Sequence, residues 1–439
     1  MISKIENPKQ SISYVILSIL LYIFIAYFLK RTDFYFILTS FTILFICYYK
    51  IIKLQKNNFT FLVSVTLIFR CLFIFSLPNL SQDFYRFIWD GRLILEGMNP
   101  YLNLPKDLIL NQSFKLPQAK ELVIGMGTLS AEHYSNYPPI NQLCFLIAGF
   151  FSNHSIYGAA IILRLIIILA DVGTLYYGRK LLTVLGLESH KIFWYVLNPL
   201  VILELSGNLH FEGVMLFFFI LSIYLLHKNY LILAGIIFAL SIMTKLLPIL
   251  LLPIFIKYLG FKKSIAFYTV VLATCLLLFL PFLSVQIIKN YSETIGLWFT
   301  NFEFNASIYY IIREVGYYFT GYNIIHSVGK LIPVFVVLFI FFKAIFSKNN
   351  SILNLFITFL IVLIIYFFTA TTVHPWYIIN LILISVFTKY KFPVYWSFLV
   401  ILSYYAYSVI PFKENLYLVF VEYALVYGIF IYEIKKQKL

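Results

Sequence analysis

Charge is what this sequence has least of. Asp, Glu, Lys and Arg together make up 12% of its 439 residues, against about 25% in a soluble domain. The shortage is sharpest for acids, with 18 Asp and Glu against 33 Lys and Arg, for a formal net charge of +15. In a soluble protein that excess points to nucleic acid. Here the basic residues gather at the ends of apolar runs, as Lys4/Lys9, Lys50/Lys53/Lys56, Lys262/Lys263 and Lys435/Lys436/Lys438. That is the pattern of charge that sets topology and meets anionic lipid headgroups, and it excludes nucleic acid as a partner. Cysteine is nearly absent: Cys47, Cys71, Cys144 and Cys275 stand singly in apolar runs, without metal spacing or a disulfide framework. Internal repeats and low-complexity segments are also missing. No small-residue cleavage site follows the first apolar run, from about Ile12 to Leu29, so that run reads as a retained span.

What remains is apolar: 62% hydrophobic and 20% aromatic residues, with mean hydropathy +0.91. Repeated runs near the length of a bilayer crossing predict an all-α, polytopic transmembrane helical bundle of about thirteen spans. The expected parts are N-terminal transmembrane helices (1–78), an extracytoplasmic loop with an amphipathic helix (79–136), a transmembrane core (137–283), a second extramembrane loop of mixed composition (284–326) and C-terminal transmembrane helices (327–439). With the first two basic clusters inside, the third run emerges at Pro78 on the outer face. The run Ile140 to Phe151 is short, and reads either as a span extended from Tyr137 or as a segment that dips in and returns.

The densest charge lies in the first long loop, between Ser81 and Tyr101. A helix from Ser81 as N-cap puts Asp83, Arg86 and Asp90 at i, i+3 and i+7 on one face, with Phe84, Phe87, Ile88 and Leu95 elsewhere. Such a helix is expected to lie along the membrane surface, aromatic side in lipid and ionic side toward a cavity. The plainer alternative is a helix-start aspartate followed by an i,i+4 ion pair. Inside the apolar runs each charge needs a reason, since one in lipid costs roughly 2.5–3.5 kcal/mol. The candidates are Arg164 with Asp171, Glu204, the group Asn208/His210/Glu212, Lys245 and His374. Arg164 and Asp171 can pair with each other or with neighbours, structurally or functionally. Asn208, His210 and Glu212 alternate with apolar residues at a polar turn after Gly207, which suits a ligand-facing loop. Lys245, just before Pro248, can snorkel or bind a phosphate, and Trp376 and Tyr377 suit an interfacial belt as well as a site.

In order along the chain, Asp83-x-x-Arg86-x-x-Trp89-Asp90-Gly91-Arg92 with Gly97-Met98-Asn99-Pro100-Tyr101, Tyr137-Pro138-Pro139-Ile140, Arg164 with Asp171, Asn198-Pro199 with His210-Phe211-Glu212, Lys245-x-x-Pro248 and His374-Pro375-Trp376-Tyr377 form a series that resembles the GT-C glycosyltransferases. The likeness is strongest to the bacterial polyprenyl-phosphate-mannose-dependent mannosyltransferases and covers about 60 to 390. The chain is more distantly similar to the GPI mannosyltransferases and the dolichyl-phosphate-glucose glucosyltransferases. Two positions depart from the pattern: Glu212, where many relatives carry an Asn-Asp pair after the histidine, and the single acid of Ser81-Gln82-Asp83, where some carry two.

The resemblance implies transfer of a hexose, mannose first, from a polyprenyl-phosphate donor to a hydroxyl of a glycan or glycolipid acceptor, with inversion. It implies a cell-membrane enzyme with its site outside, and neither metal nor cofactor, the polyprenyl-phosphate sugar being a substrate. Asp83 is then the general base. Lys245, His374 and Arg92, in that order, receive the donor phosphate. Arg86, Asp90, Tyr137, Asn208, His210, Glu212, Trp376 and Tyr377 contact substrate, the last two aromatics by stacking on sugar or prenyl chain. A rival reading is a transporter or flippase of a lipid-linked sugar or small polar solute, supported by the Pro-interrupted helix around Lys245. A further one is a polymerase of lipid-linked glycans. The abundance of Ile, Lys, Asn, Phe and Tyr suggests an AT-rich bacterial genome, and hence the bacterial inner membrane.

Overall fold

The structure, a computed structural model, describes residues 7–438. Lys4, one of the basic residues expected on the inner side, lies outside them. The described residues form helices and no strand, with one isolated parallel bridge between Phe304 and Thr372. The first eight α-helices are α1 (Pro8–Tyr27), α2 (Phe34–Gln55), α3 (Phe59–Cys71), α4 (Asp83–Leu95), α5 (Pro105–Leu110), α6 (Ala119–Ala131), α7 (Pro139–Phe151) and α8 (Ile156–Val184). Their starts follow local chemistry. Proline opens α1, α5 and α7, where its missing N–H costs nothing. The side chains of Asn58 and Ser155 accept from the Phe61 and Gly158 backbone N–H to cap α3 and α8.

This is a polytopic helical membrane protein, but its apolar runs do not all form full crossings. Among the described residues seven helices are long and apolar enough to span: Pro8–Tyr27, Phe34–Gln55, Ile156–Val184, Phe261–Phe282, Ile325–Phe346, Ile352–Thr369 and Leu416–Lys436. An eighth results if Pro199–Gly207 and Glu212–His227, bent by 113°, count as one. The other expected spans are mostly shorter apolar helices: Phe59–Cys71, Pro139–Phe151, Leu231–Thr244, Leu247–Leu259 and Pro375–Val386. Apolar composition continues through these breaks, but the backbone does not. Around Pro248 and Pro253 the chain tightens to a 3-10 helix, Leu247–Phe255, because proline cannot donate and clashes with the preceding turn. The short α7 starts at Pro139, and α8 follows after a turn.

Two buried arginines tie these pieces together. Arg70 on α3 donates from Nε to Asp171 of α8 at 2.7 Å and from Nη1 to the Val196 carbonyl at 2.7 Å. Arg164 therefore does not pair with Asp171. Its guanidinium donates to the carbonyls of Ile74, Ser76, Ser206 and Gly207. Ser206 and Gly207 end a π-helical turn, Ile202–Gly207, whose last carbonyls have no helical partner. Arg164 thus joins that turn to the segment leading into α4. Removing one partner of the other pair leaves a buried charge unmet. Asp171→Ala is expected to cost about 3–5 kcal/mol, read as a lower unfolding midpoint in detergent, and Arg70→Met with Asp171→Leu to recover most of it.

Candidate functional site

The site is built on the first turn of α4. The helix begins at Asp83 with Gln82 as N-cap, one residue later than expected, and Ser81 Oγ accepts from the Asp83 backbone N–H at 3.3 Å. The aromatic side does not face lipid: Phe84, Phe87 and Ile88 are buried. Phe87 stacks on Phe145 of α7 at 4.6 Å between ring centres and meets Tyr137 and Phe211 edge-on. The reason is that the loop folds back over α4, with α6 and α7 closing on it. Gly91 permits this approach, since a Cβ there would stand 2.1 Å from the Phe145 carbonyl oxygen.

The other charges of α4 are consumed by that packing. Arg86 donates from Nε to Asp90 Oδ1 at 2.7 Å and from Nη1 to the Ser130 and His133 carbonyls. Asp90 Oδ2 also accepts from Ser135 Oγ and Gln142 Nε2. Arg92 donates to the Pro117 and His154 carbonyls and to Gln118 Oε1. So Arg86, Asp90 and Arg92 hold the loop down through these contacts. Asp83 differs, because its carboxylate has no hydrogen-bond partner among the described residues and stays partly exposed.

Three groups distant in sequence, Lys245, Glu212 and Arg31, are within electrostatic reach of that carboxylate. Lys245 ends the helix Leu231–Thr244 in extended conformation, which turns its ammonium to Glu212 Oε1 at 3.1 Å and over the Tyr137 ring at 5.5 Å. Glu212 opens its own helix just after the 113° bend. Three flat rings stack in sequence nearby, and a fourth leans against them at 30°. His210 lies 3.9 Å from Trp376, Trp376 lies 4.3 Å from His374, and His374 lies 5.0 Å from Phe304. Trp376 is thus wedged between two imidazoles, with Tyr377 edge-on to His374 at 5.4 Å. Glu204 secures the far end: it accepts from Asn208 Nδ2 at 2.8 Å and from the Tyr404 hydroxyl at 2.6 Å, and its Oε2 lies 3.4 Å from His210 Nε2. Leu209, just before His210, adopts the left-handed region at φ 65°, a strained conformation for a leucine that turns the chain here.

A cavity of ≈ 360 Å³ opens from this cluster. Lys245, Glu212, Tyr137, Tyr377 and Asn380 line its polar end. From there it runs between Leu246–Leu250, Ile295–Phe299 and Gly329–Val337, a channel of apolar side chains. Among the described residues no three His, Cys, Asp or Glu side chains group to hold a metal ion.

Sequence reasoning missed Arg31, Gln82 and Tyr407. Arg31 lies in the turn between α1 and α2, which looks like an ordinary end-of-span charge. Its one available signal was parity, since two crossings later the chain emerges at Ser81 on the same side. Tyr407, in the 3-10 helix Val400–Ser408, carried no signal at all.

Burial raises the Asp83 carboxyl above the ordinary aspartate value; the Lys245 ammonium lowers it again, the Glu212 carboxylate raises it, and Arg31 lowers it. If the ionised carboxylate is the working form, activity should rise with pH through a limb higher than that of a free aspartate. Glu212→Gln removes a raising charge and is expected to move that limb of the kcat/KM profile to lower pH, whereas Lys245→Met moves it to higher pH. A limb that stays put in both variants would assign it to another group.

A family model described as alpha-(1->6)-mannopyranosyltransferase, N-terminal domain, matches residues 21–260, more than half of the chain. The match takes in α4, the His210 turn and Lys245, and ends before the His374 segment. No curated protein matches the chain.

Proposed function

The chain belongs to the alpha-(1->6)-mannopyranosyltransferase family, a group of glycosyltransferases, and from this premise we propose that it moves mannose from a polyprenyl-phosphate donor to a sugar hydroxyl with inversion. The observation that carries the proposal is an Asp83 carboxylate with no hydrogen-bond partner among the described residues, within electrostatic reach of Lys245, which itself lines the polar end of an apolar channel. A polyprenyl chain fits the channel by its chemistry, since every methylene it buries there is stabilised by about 0.8 kcal/mol. The phosphate then meets Lys245, whose ammonium is held by Glu212 at 3.1 Å. Mannose occupies the space toward Asp83, with Tyr137 and Tyr377 as flat surfaces beside it.

In the reaction the acceptor hydroxyl attacks the anomeric carbon as Asp83 takes its proton. The bond from that carbon to the phosphate oxygen breaks, its electron pair stays on the phosphate, and Lys245 balances the growing charge. Phosphate is a good leaving group at neutral pH, so a single base suffices. The stacked His210, Trp376 and His374 form the floor of the site. An extracytoplasmic position is supported by α2, whose basic end, Lys50 and Lys53, lies opposite the turn where Arg31 meets Gln82.

The test is incubation of purified protein with a panel of polyprenyl-phosphate sugars and native membrane lipids, with products read by mass spectrometry. Asp83→Asn is expected to leave a folded protein that binds donor and transfers about 10²–10⁴-fold more slowly. Transfer by Asp83→Asn at the wild-type rate would remove Asp83 from the chemistry. Ile332→Trp, which fills the channel, is expected to raise the donor KM and leave the rate at saturating donor nearly unchanged; an unaltered donor KM would place the prenyl chain elsewhere.

A further inference from the structure

Lys245 is one of two cations around Asp83, and the second, Arg31, is not used by the reaction described above. Arg31 donates from Nη2 to Gln82 Oε1 at 3.2 Å, and Gln82 directly precedes the base. Gln82 is itself fixed by donating from Nε2 to the Met126 carbonyl at 3.0 Å. The guanidinium lies over the ring of Tyr407 at 5.1 Å, a cation–π contact that sets its plane. Tyr407 in turn is within electrostatic reach of both Arg31 and Asp83. Yet among the described residues Arg31 forms no ion pair with any carboxylate, Asp83 included. Arg31 thus reaches the start of α4 through Gln82 without an ion pair, and four of its five guanidinium donors are uncommitted among the described residues.

The two cations also differ in what they line. Lys245 lines the apolar channel and Arg31 does not. In an inverting displacement the nucleophile and leaving group lie on opposite faces of the anomeric carbon. On the transfer reading the channel end holds the phosphate, which leaves the start of α4, where Gln82 anchors Arg31, for the acceptor. Next to Tyr407, at 5.3 Å between ring centres, Phe412 leaves an open aromatic face, being 53% exposed. A forked donor beside an aromatic surface suits a sugar ring: two adjacent oxygens for the guanidinium and a carbon face for the ring.

We propose that Arg31, positioned by Gln82 and Tyr407 and flanked by Phe412, is the acceptor-sugar subsite, gripping a pair of neighbouring oxygens while Asp83 faces the attacking hydroxyl. This rests on the transfer reading above for its choice of sides. Binding and transfer are measured separately. Calorimetric titration of an α-mannoside disaccharide into donor-free protein reports the subsite without turnover. Arg31→Ala is expected to weaken that binding, and to raise the acceptor KM, roughly 10–100-fold, the loss of a charge-assisted hydrogen-bonded pair, with the donor KM unchanged. Arg31→Lys, which keeps the charge and loses the fork, is expected to recover only part of it, and Phe412→Ala to weaken acceptor binding alone. Elution of each variant as a single monodisperse species separates a folded protein from a collapsed one; should Arg31→Ala not fold, Arg31→Lys and Phe412→Ala carry the same comparison. The proposal is overturned if these variants bind the disaccharide as wild type does, if wild type does not bind it, or if the donor KM rises in place of the acceptor KM. Binding that depends on Arg31 in a protein that transfers nothing would uphold the subsite and sink the transfer reading.

Discussion

A buried charge surrounded by lipid has to be answered by protein, and most of this structure can be understood as the set of answers. Arg70 meets Asp171, Arg86 meets Asp90, and Arg164 and Arg92 are met by backbone carbonyls left over at turns and helix ends. Apart from Arg86–Asp90, which pair within α4, these contacts join elements well separated in sequence. Short, proline-broken helices that could not cross a bilayer alone are held in one bundle by them. Against that background the Asp83 carboxylate stands out, having no hydrogen-bond or ion-pair partner among the described residues, while Lys245 within its electrostatic reach is paired with Glu212.

The bend between Ile202–Gly207 and Glu212–His227 serves the same economy. A π-helical turn widens the helix, Arg164 caps its carbonyls, and Leu209 turns the chain so that His210 and Glu212 leave in different directions. Glu212 goes to Lys245, and His210 goes to the aromatic stack. One local irregularity thereby supplies both the ionic and the flat surfaces of the site.

Much of this could be read in the sequence, for reasons that differ by residue. Asp83 was visible because acids are scarce and the i, i+3, i+7 spacing with Arg86 and Asp90 is a helical signal. Its grouping with Lys245 and Glu212 across the chain came from resemblance, since no periodicity links them. The lipid-facing aromatic side was misjudged because a surface helix and a helix clamped between two others have the same pattern; Gly91, small where α7 arrives, was the residue that distinguished them. Fewer helices than apolar runs are long enough to cross because hydropathy does not register where a run is shortened or bent, as at Phe59–Cys71, Pro375–Val386 and the 113° bend before Glu212. Arg31 escaped notice because a cation at the end of a span has an adequate explanation already, and only the tertiary fold shows Gln82 and Tyr407 beside it.

The indole of Trp376, pressed between two imidazoles at 3.9 and 4.3 Å, is one of five tryptophans in the chain. The emission of an indole responds to the rings packed against its two faces. The protein therefore carries an optical probe inside this ring stack, one whose glow should change when the two imidazoles shift against the indole.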